Sequence, residues 1–121
     1  MASKCEPARS TLSVVGIPGP EQDICPVART AEIVSGKWTL LIIRDLASGT
    51  MRFSELERSL HGISPKTLSE RLSTLEAEGI LRRQVYAEVP PKVEYTLTEK
   101  GRALVAVIES MREYGKRWLM C

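Results

Sequence analysis

The chain lacks any stretch near the roughly 18 consecutive apolar residues that a membrane span requires. It also lacks an N-terminal basic region followed by an apolar run, so the expectation is a cytoplasmic protein with no membrane partner. It has a single histidine, His61, and no motif sets a base or carboxylate beside a nucleophile, which argues against an enzyme. Its three cysteines, Cys5, Cys25 and Cys121, are far apart and form no CxxC pair. Neither a disulfide framework nor a zinc site is suggested, and any cysteine function is expected to be single-thiol chemistry. Gly36 and Gly101 belong to no phosphate-binding loop, and no carboxylates or ligands cluster at metal spacing, so no cofactor or metal is expected. Charge of one sign is missing too: 17 basic against 15 acidic residues leave a net +2. That balance neither invites nor forbids a nucleic acid.

What is present is the length of one domain, 121 residues, with 43% apolar and 26% charged residues. Residues 1–23 carry Pro7, Gly16, Pro18, Gly19 and Pro20 without lasting periodicity, and read as a flexible arm. Residues 24–121 read as the folded domain. Pro26 suits the first position of a helix, and Val27, Ala28, Ala31 and Val34 give it an apolar stripe that Gly36 ends. Trp38, Leu40, Leu41, Ile42, Ile43 and Leu46 are apolar on nearly all sides, as in a central buried helix.

A capping box, Ser54 to Glu57, opens a short helix over 54–61 with Leu56 and Leu60 on its inner face. His61-Gly62 turns the chain. Ser64 then caps a second helix over 64–78, with Pro65 first, Leu68, Leu72 and Leu75 on one face, and Gly79 as its stop. Strands follow over 81–89 and 93–97, with Pro90-Pro91-Lys92 as the exposed hairpin tip. Thr98 caps a last helix running to about Leu119, about 31 Å long at 1.5 Å per residue. Leu104, Ile108, Met111, Gly115 and Trp118 form its core-facing side. The fold class is mainly α with a small β-hairpin (α+β): a winged helix-turn-helix domain with long N- and C-terminal helices for dimerisation.

Two short helices joined by a glycine turn and followed at once by a hairpin match the arrangement in which the second helix enters a DNA major groove. Lys66, Thr67, Glu70, Arg71 and Thr74 are expected to point outward from that helix. Lys66 and Arg71 suit guanine acceptors, Thr67 a base or a thymine methyl, and Glu70 a cytosine amino group. Arg52, Arg82, Arg83 and Lys92 suit flanking phosphates, and the hydroxyls of Ser54, Ser64 and Ser69 complete the candidate DNA-binding set. The plainer reading is a solvated surface, because residues 44–102 hold ten basic and nine acidic side chains. Another class of function is a winged-helix protein-interaction module that never touches DNA; an apolar outer face on the second helix would favour it.

Along the last helix, Val105, Val107, Tyr114 and Leu119 fall off the core-facing stripe and call for an apolar partner, which points to a homodimer. Trp118 and Val27 join them as candidate interface residues, and Trp38 and Trp118 read as core or interface rather than as the walls of an effector pocket. A two-fold dimer requires a roughly palindromic operator with half-sites about 34–36 Å apart. Cys25, at a helix N-terminus, sits where unsatisfied amides favour a thiolate.

Six segments in order resemble the HxlR-type regulators, a winged-helix group distantly similar to the MarR regulators. They are Cys25-Pro26-Val27, Gly36-Lys37-Trp38-Thr39, Arg52-Phe53-Ser54-Glu55-Leu56, Ile63-Ser64-Pro65-Lys66-Thr67-Leu68-Ser69, Leu75-Glu76-Ala77-Glu78-Gly79-Ile80 and Val93-Glu94-Tyr95-Thr96-Leu97-Thr98. The resemblance covers about residues 24–119. It implies a homodimer joined through the first and last helices, with double-stranded DNA as partner and either repression or activation as outcome. In some relatives it further implies that the cysteine matching Cys25 senses oxidants or electrophiles, so that an oxidant or another small molecule acts as effector. Read from the residues alone, Cys5 in the arm and Cys121 could each form an adventitious disulfide, and an arm thiol such as Cys5 could instead resolve an oxidised Cys25.

Overall fold

The computed structural model describes residues 25–120. The expected flexible arm, residues 1–23, lies outside them, as do Cys5 and Cys121. The chain divides into two units, Met1–Ser35 and Gly36–Cys121. In the first, helix α1 spans Pro26–Val34, with Pro26 in its first turn and Cys25 as an extended N-cap. At nine residues α1 is short, not the long helix expected, and none of its residues is buried.

The second unit begins at Gly36, whose φ of 92° is a conformation that side chains with a Cβ rarely adopt. Helix α2 (Lys37–Leu46) follows and buries Thr39, Ile42, Ile43 and Leu46. Helix α3 (Phe53–Ser59) and helix α4 (Pro65–Ala77) come next, separated by a turn in which Gly62 has φ 93°. Leu56, Leu60, Leu68, Leu72 and Leu75 are all buried in the core, completed by Ile63, Ile80, Leu81, Tyr95, Leu97 and Ile108. Each such Leu or Ile contributes roughly 1.5–3 kcal/mol through burial, a large share of the about 5–15 kcal/mol by which a domain is stable. The three leucines of α4 therefore fix which of its faces is left for a partner.

Three local expectations are corrected. The N-cap of α3 is Arg52, not Ser54, and its backbone N–H donates to the Glu55 carboxylate at 2.8 Å, so Glu57 has no capping part. The cause is a strand absent from the sequence reading, β1 (Met51–Arg52). It pairs antiparallel with β3 and holds Arg52 extended, so the helix starts at the next residue.

The hairpin consists of β2 (Leu81–Tyr86) and β3 (Lys92–Leu97) in the sheet order β1-β3-β2. Lys92 pairs with Tyr86 across the hairpin and so belongs to the strand, leaving residues 87–91 as the tip. The last helix is broken: α5 (Glu99–Arg102) is capped by Thr98, whose Oγ1 accepts from the Gly101 N–H at 3.1 Å, and α6 runs over Val105–Trp118. A Cβ on Gly101 would land on the Ile80 carbonyl, so this turn needs glycine to seat against the sheet. At 14 residues α6 is about 21 Å long. Of its expected core-facing side only Ile108 is buried; Leu104 and Gly115 are half-buried, and Met111 and Trp118 are exposed.

Candidate nucleic-acid interface

The first turn of α4 is built by Ser64. Its Oγ accepts from the Thr67 N–H at 3.1 Å and lies 3.0 Å from the Thr67 hydroxyl, so both hydroxyls serve the cap. Thr67 is half-buried, whereas Lys66, Ser69, Glu70 and Thr74 are exposed. These four present a polar surface opposite the leucines. Thr74 turns its hydroxyl back onto the Glu70 carbonyl at 3.0 Å.

Arg71 departs from the outward position expected of it. It lies three residues after Leu68 and four before Leu75, so helical phase carries its stem along the buried stripe. It is half-buried, and its Nε is enclosed without a hydrogen-bond partner.

Strand register sorts the wing residues into two faces. Arg82, Gln84 and Tyr86 share a face with their partners Thr96, Glu94 and Lys92, and Arg52 joins them opposite Glu94. Arg83 and Val85 share the other face with the buried Leu81, Tyr95 and Leu97, yet both are exposed at its outer end. Arg52, Arg82 and Arg83 are all exposed, as is Ser54.

Lys92 is engaged within the wing: its Nζ lies 3.7 Å from a Glu94 carboxylate oxygen and 4.6 Å above the Tyr86 ring. A hydrogen bond to Glu94 and the charge of that carboxylate raise the Tyr86 phenol above its ordinary pKa, with slight burial and Glu88 adding to the shift. Sequence reasoning missed this Tyr86–Lys92–Glu94 cluster. The period of two reveals it only once the tip is known to be residues 87–91.

In the first unit, Cys25 is disulfide-bonded. This corrects the expectation of purely single-thiol chemistry; the chain's other two cysteines lie outside the described residues. Val27 on α1 is exposed. Along α6, Val107, Met111, Tyr114, Trp118 and the following Leu119 are exposed apolar residues, while Val105 is half-buried. Among the described residues no group of three potential ligands could hold a metal ion, and no helix is long and apolar enough to cross a membrane.

A core helix, a capped helix-turn-helix and a hairpin completed by a third strand define a winged helix-turn-helix protein. Residues 33–121 match the model of the HxlR-like helix-turn-helix family, and the chain belongs to that family of transcriptional regulators. It is 43% identical over 96 residues to the uncharacterized HTH-type transcriptional regulator sll1512 of Synechocystis, covering 79% of this chain and 71% of that one. It is 38% identical over 100 residues to the uncharacterized HTH-type transcriptional regulator YvaP of Bacillus subtilis, covering 82% of this chain and 93% of YvaP.

Among solved structures, the redox regulator HypR in its oxidized form superposes with a TM-score of 0.73 at 42% identity, covering 77% of this chain and 96% of HypR. The reduced form of the transcriptional regulator YodB from B. subtilis gives 0.70 at 42% identity, covering 80% and 96%.

Proposed function

We propose that the chain acts as a homodimer on a roughly palindromic operator, with α4 of each copy in successive major grooves about 34–36 Å apart. The observation that carries this reading is the outer face of α4. Its leucines are all spent on the core, and Lys66, Ser69 and Glu70 stand exposed at the end fixed by the Ser64 cap. A polar outer face favours a nucleic acid over the apolar patch a protein-interaction module would need. Lys66 and Glu70 read base edges. Arg52, Arg82 and Arg83, with Ser54, hold flanking phosphates. Ser64 and Thr67 act mainly by fixing the first turn, Arg71 reaches DNA only from the rim of the buried stripe, and Lys92 orders the wing. The dimer forms through Val107, Tyr114, Trp118 and Leu119, with Val105 and Val27 contributing. The protein carries out no catalysis, works without a cofactor, and operates in the cytoplasm.

Oxidation state at Cys25 sets DNA affinity in this reading. The disulfide at Cys25 and the likeness to a redox regulator support it.

The test is a mobility shift on DNA from upstream of the gene, against random DNA of equal length, with dithiothreitol-reduced and diamide-treated protein. Reduced and oxidised wild type should differ in operator affinity, and Cys25→Ser should bind the same in both states. Binding no tighter than to random DNA in either state would favour the protein-interaction module. Selective binding that diamide leaves unchanged would remove Cys25 as a switch and leave the DNA reading standing.

A further inference from the structure

The cleft between α2 and α6 has no part in the DNA-binding reading. It is lined by the apolar Leu40, Leu41, Ile108 and Met111 and by the cations Lys37, Arg44 and Arg112, and its volume is about 400 Å³. That lies within the roughly 300–1,000 Å³ of small-molecule sites. The lining holds three cations and no carboxylate.

Asp45 holds Arg44 through a contact of 2.9 Å, and Glu109 holds Arg112 at 3.2 Å, but neither acid lines the cleft. Each therefore orients a guanidinium that still has donors to spare, since the group carries five. Lys37 sits 4.6 Å over the Trp38 ring, which positions the ammonium without cancelling its charge. A lining of four apolar side chains and three cations complements a molecule with one anionic head and an apolar body.

We propose that the α2–α6 cleft binds an amphipathic carboxylate, its apolar body on Leu40, Leu41 and Met111 and its head between Lys37 and Arg112. Helix α2 packs against both α4 and α6, so a ligand wedged at its outer side acts on the element that supports the reading helix. That regulatory use rests on the DNA-binding reading; the site itself does not.

The experiment is calorimetric titration of the full chain, without DNA, using octanoate, octanol and octyltrimethylammonium as probes with one tail and three heads. Octanoate should bind saturably at one site per chain and at least about tenfold more tightly than the other two. Lys37→Ala and Arg112→Ala should each weaken it several-fold while Lys37→Arg retains it; both positions are exposed, so the fold should survive. Equal binding of the three probes, or octanoate binding indifferent to these variants, would overturn the proposal. So would the absence of saturable binding, in which case Met111→Glu would show whether a second copy covers the cleft, by lowering the sedimenting mass. A protein that fails to bind DNA would leave this titration unchanged, so the two readings fail separately.

Discussion

Ser64 shows how much one hydroxyl organises. It satisfies an amide at the start of α4 and engages the Thr67 side chain, so the turn beside Lys66 is rigid before any DNA arrives. Ser64→Ala should cost about 1 kcal/mol of stability, read as a lower urea midpoint with an unchanged slope. A midpoint equal to that of wild type would mean that the cap is not holding the helix. This cap is legible in the sequence because serine, proline and the helix they start are adjacent. The cap of α3 is not: Ser54 and Glu57 have the right spacing, but the helix start is set by the pairing of Met51 and Arg52 with Tyr95 and Glu94, more than forty residues away. Arg71 misled for another reason. Its charge suggests the outer face, whereas counting from Leu68 and Leu75 places its stem beside the core.

At the scale of elements, the wing is legible as a hairpin from the alternation of Val93, Tyr95 and Leu97, but its internal pairing depends on tip length. With five residues in the tip, Lys92 faces Tyr86 and lies next to Glu94 on the same face, and a cation expected to be free for phosphate is tied down. Among the described residues the wing cations without an ion pair are Arg52, Arg82 and Arg83, which lie within the strands, level with Glu94, Thr96 and Tyr95, and not in the tip. The Glu94 carboxylate favours the neutral phenol of Tyr86, so ionisation is displaced to higher pH. Glu94→Gln should bring the Tyr86 titration back toward its ordinary range, followed by the ring-carbon shifts in NMR. A titration that does not move would show that Glu94 is not the cause. The break between α5 and α6 is not legible in the sequence, because the cap at Thr98 and the pattern after it fit one continuous helix. The requirement for glycine at Gly101 comes from the Ile80 backbone, which only the folded chain brings near.

For the whole molecule, the informative element is α6. Only Ile108 of it is buried, while Val107, Tyr114, Trp118 and the following Leu119 are 39–74% exposed. The helical period shows more apolar residues than the core can take, yet it overestimates how far the core extends along the helix. Such a row of exposed large apolar residues is the surface on which the proposed dimer would form. Trp118→Glu should convert a dimer to a monomer in sedimentation velocity while leaving the far-ultraviolet circular dichroism unchanged. A variant that sediments like wild type would place the interface elsewhere. Dimerisation also bears on DNA, because a monomer offers one reading helix and forgoes the second half-site.

The most direct test of the central claim is equilibrium binding, across a range of salt, of wild type, Lys66→Ala and the Arg82→Ala, Arg83→Ala double variant to operator and random DNA. If α4 reads bases and strand β2 of the wing holds phosphates, Lys66→Ala should lose roughly 1–3 kcal/mol on the operator and far less on random DNA. The double arginine variant should weaken both DNAs alike, with a salt slope shallower by about 2. A Lys66→Ala protein that weakens equally on both DNAs, or arginine changes that affect only the operator, would contradict this assignment of reading and grip.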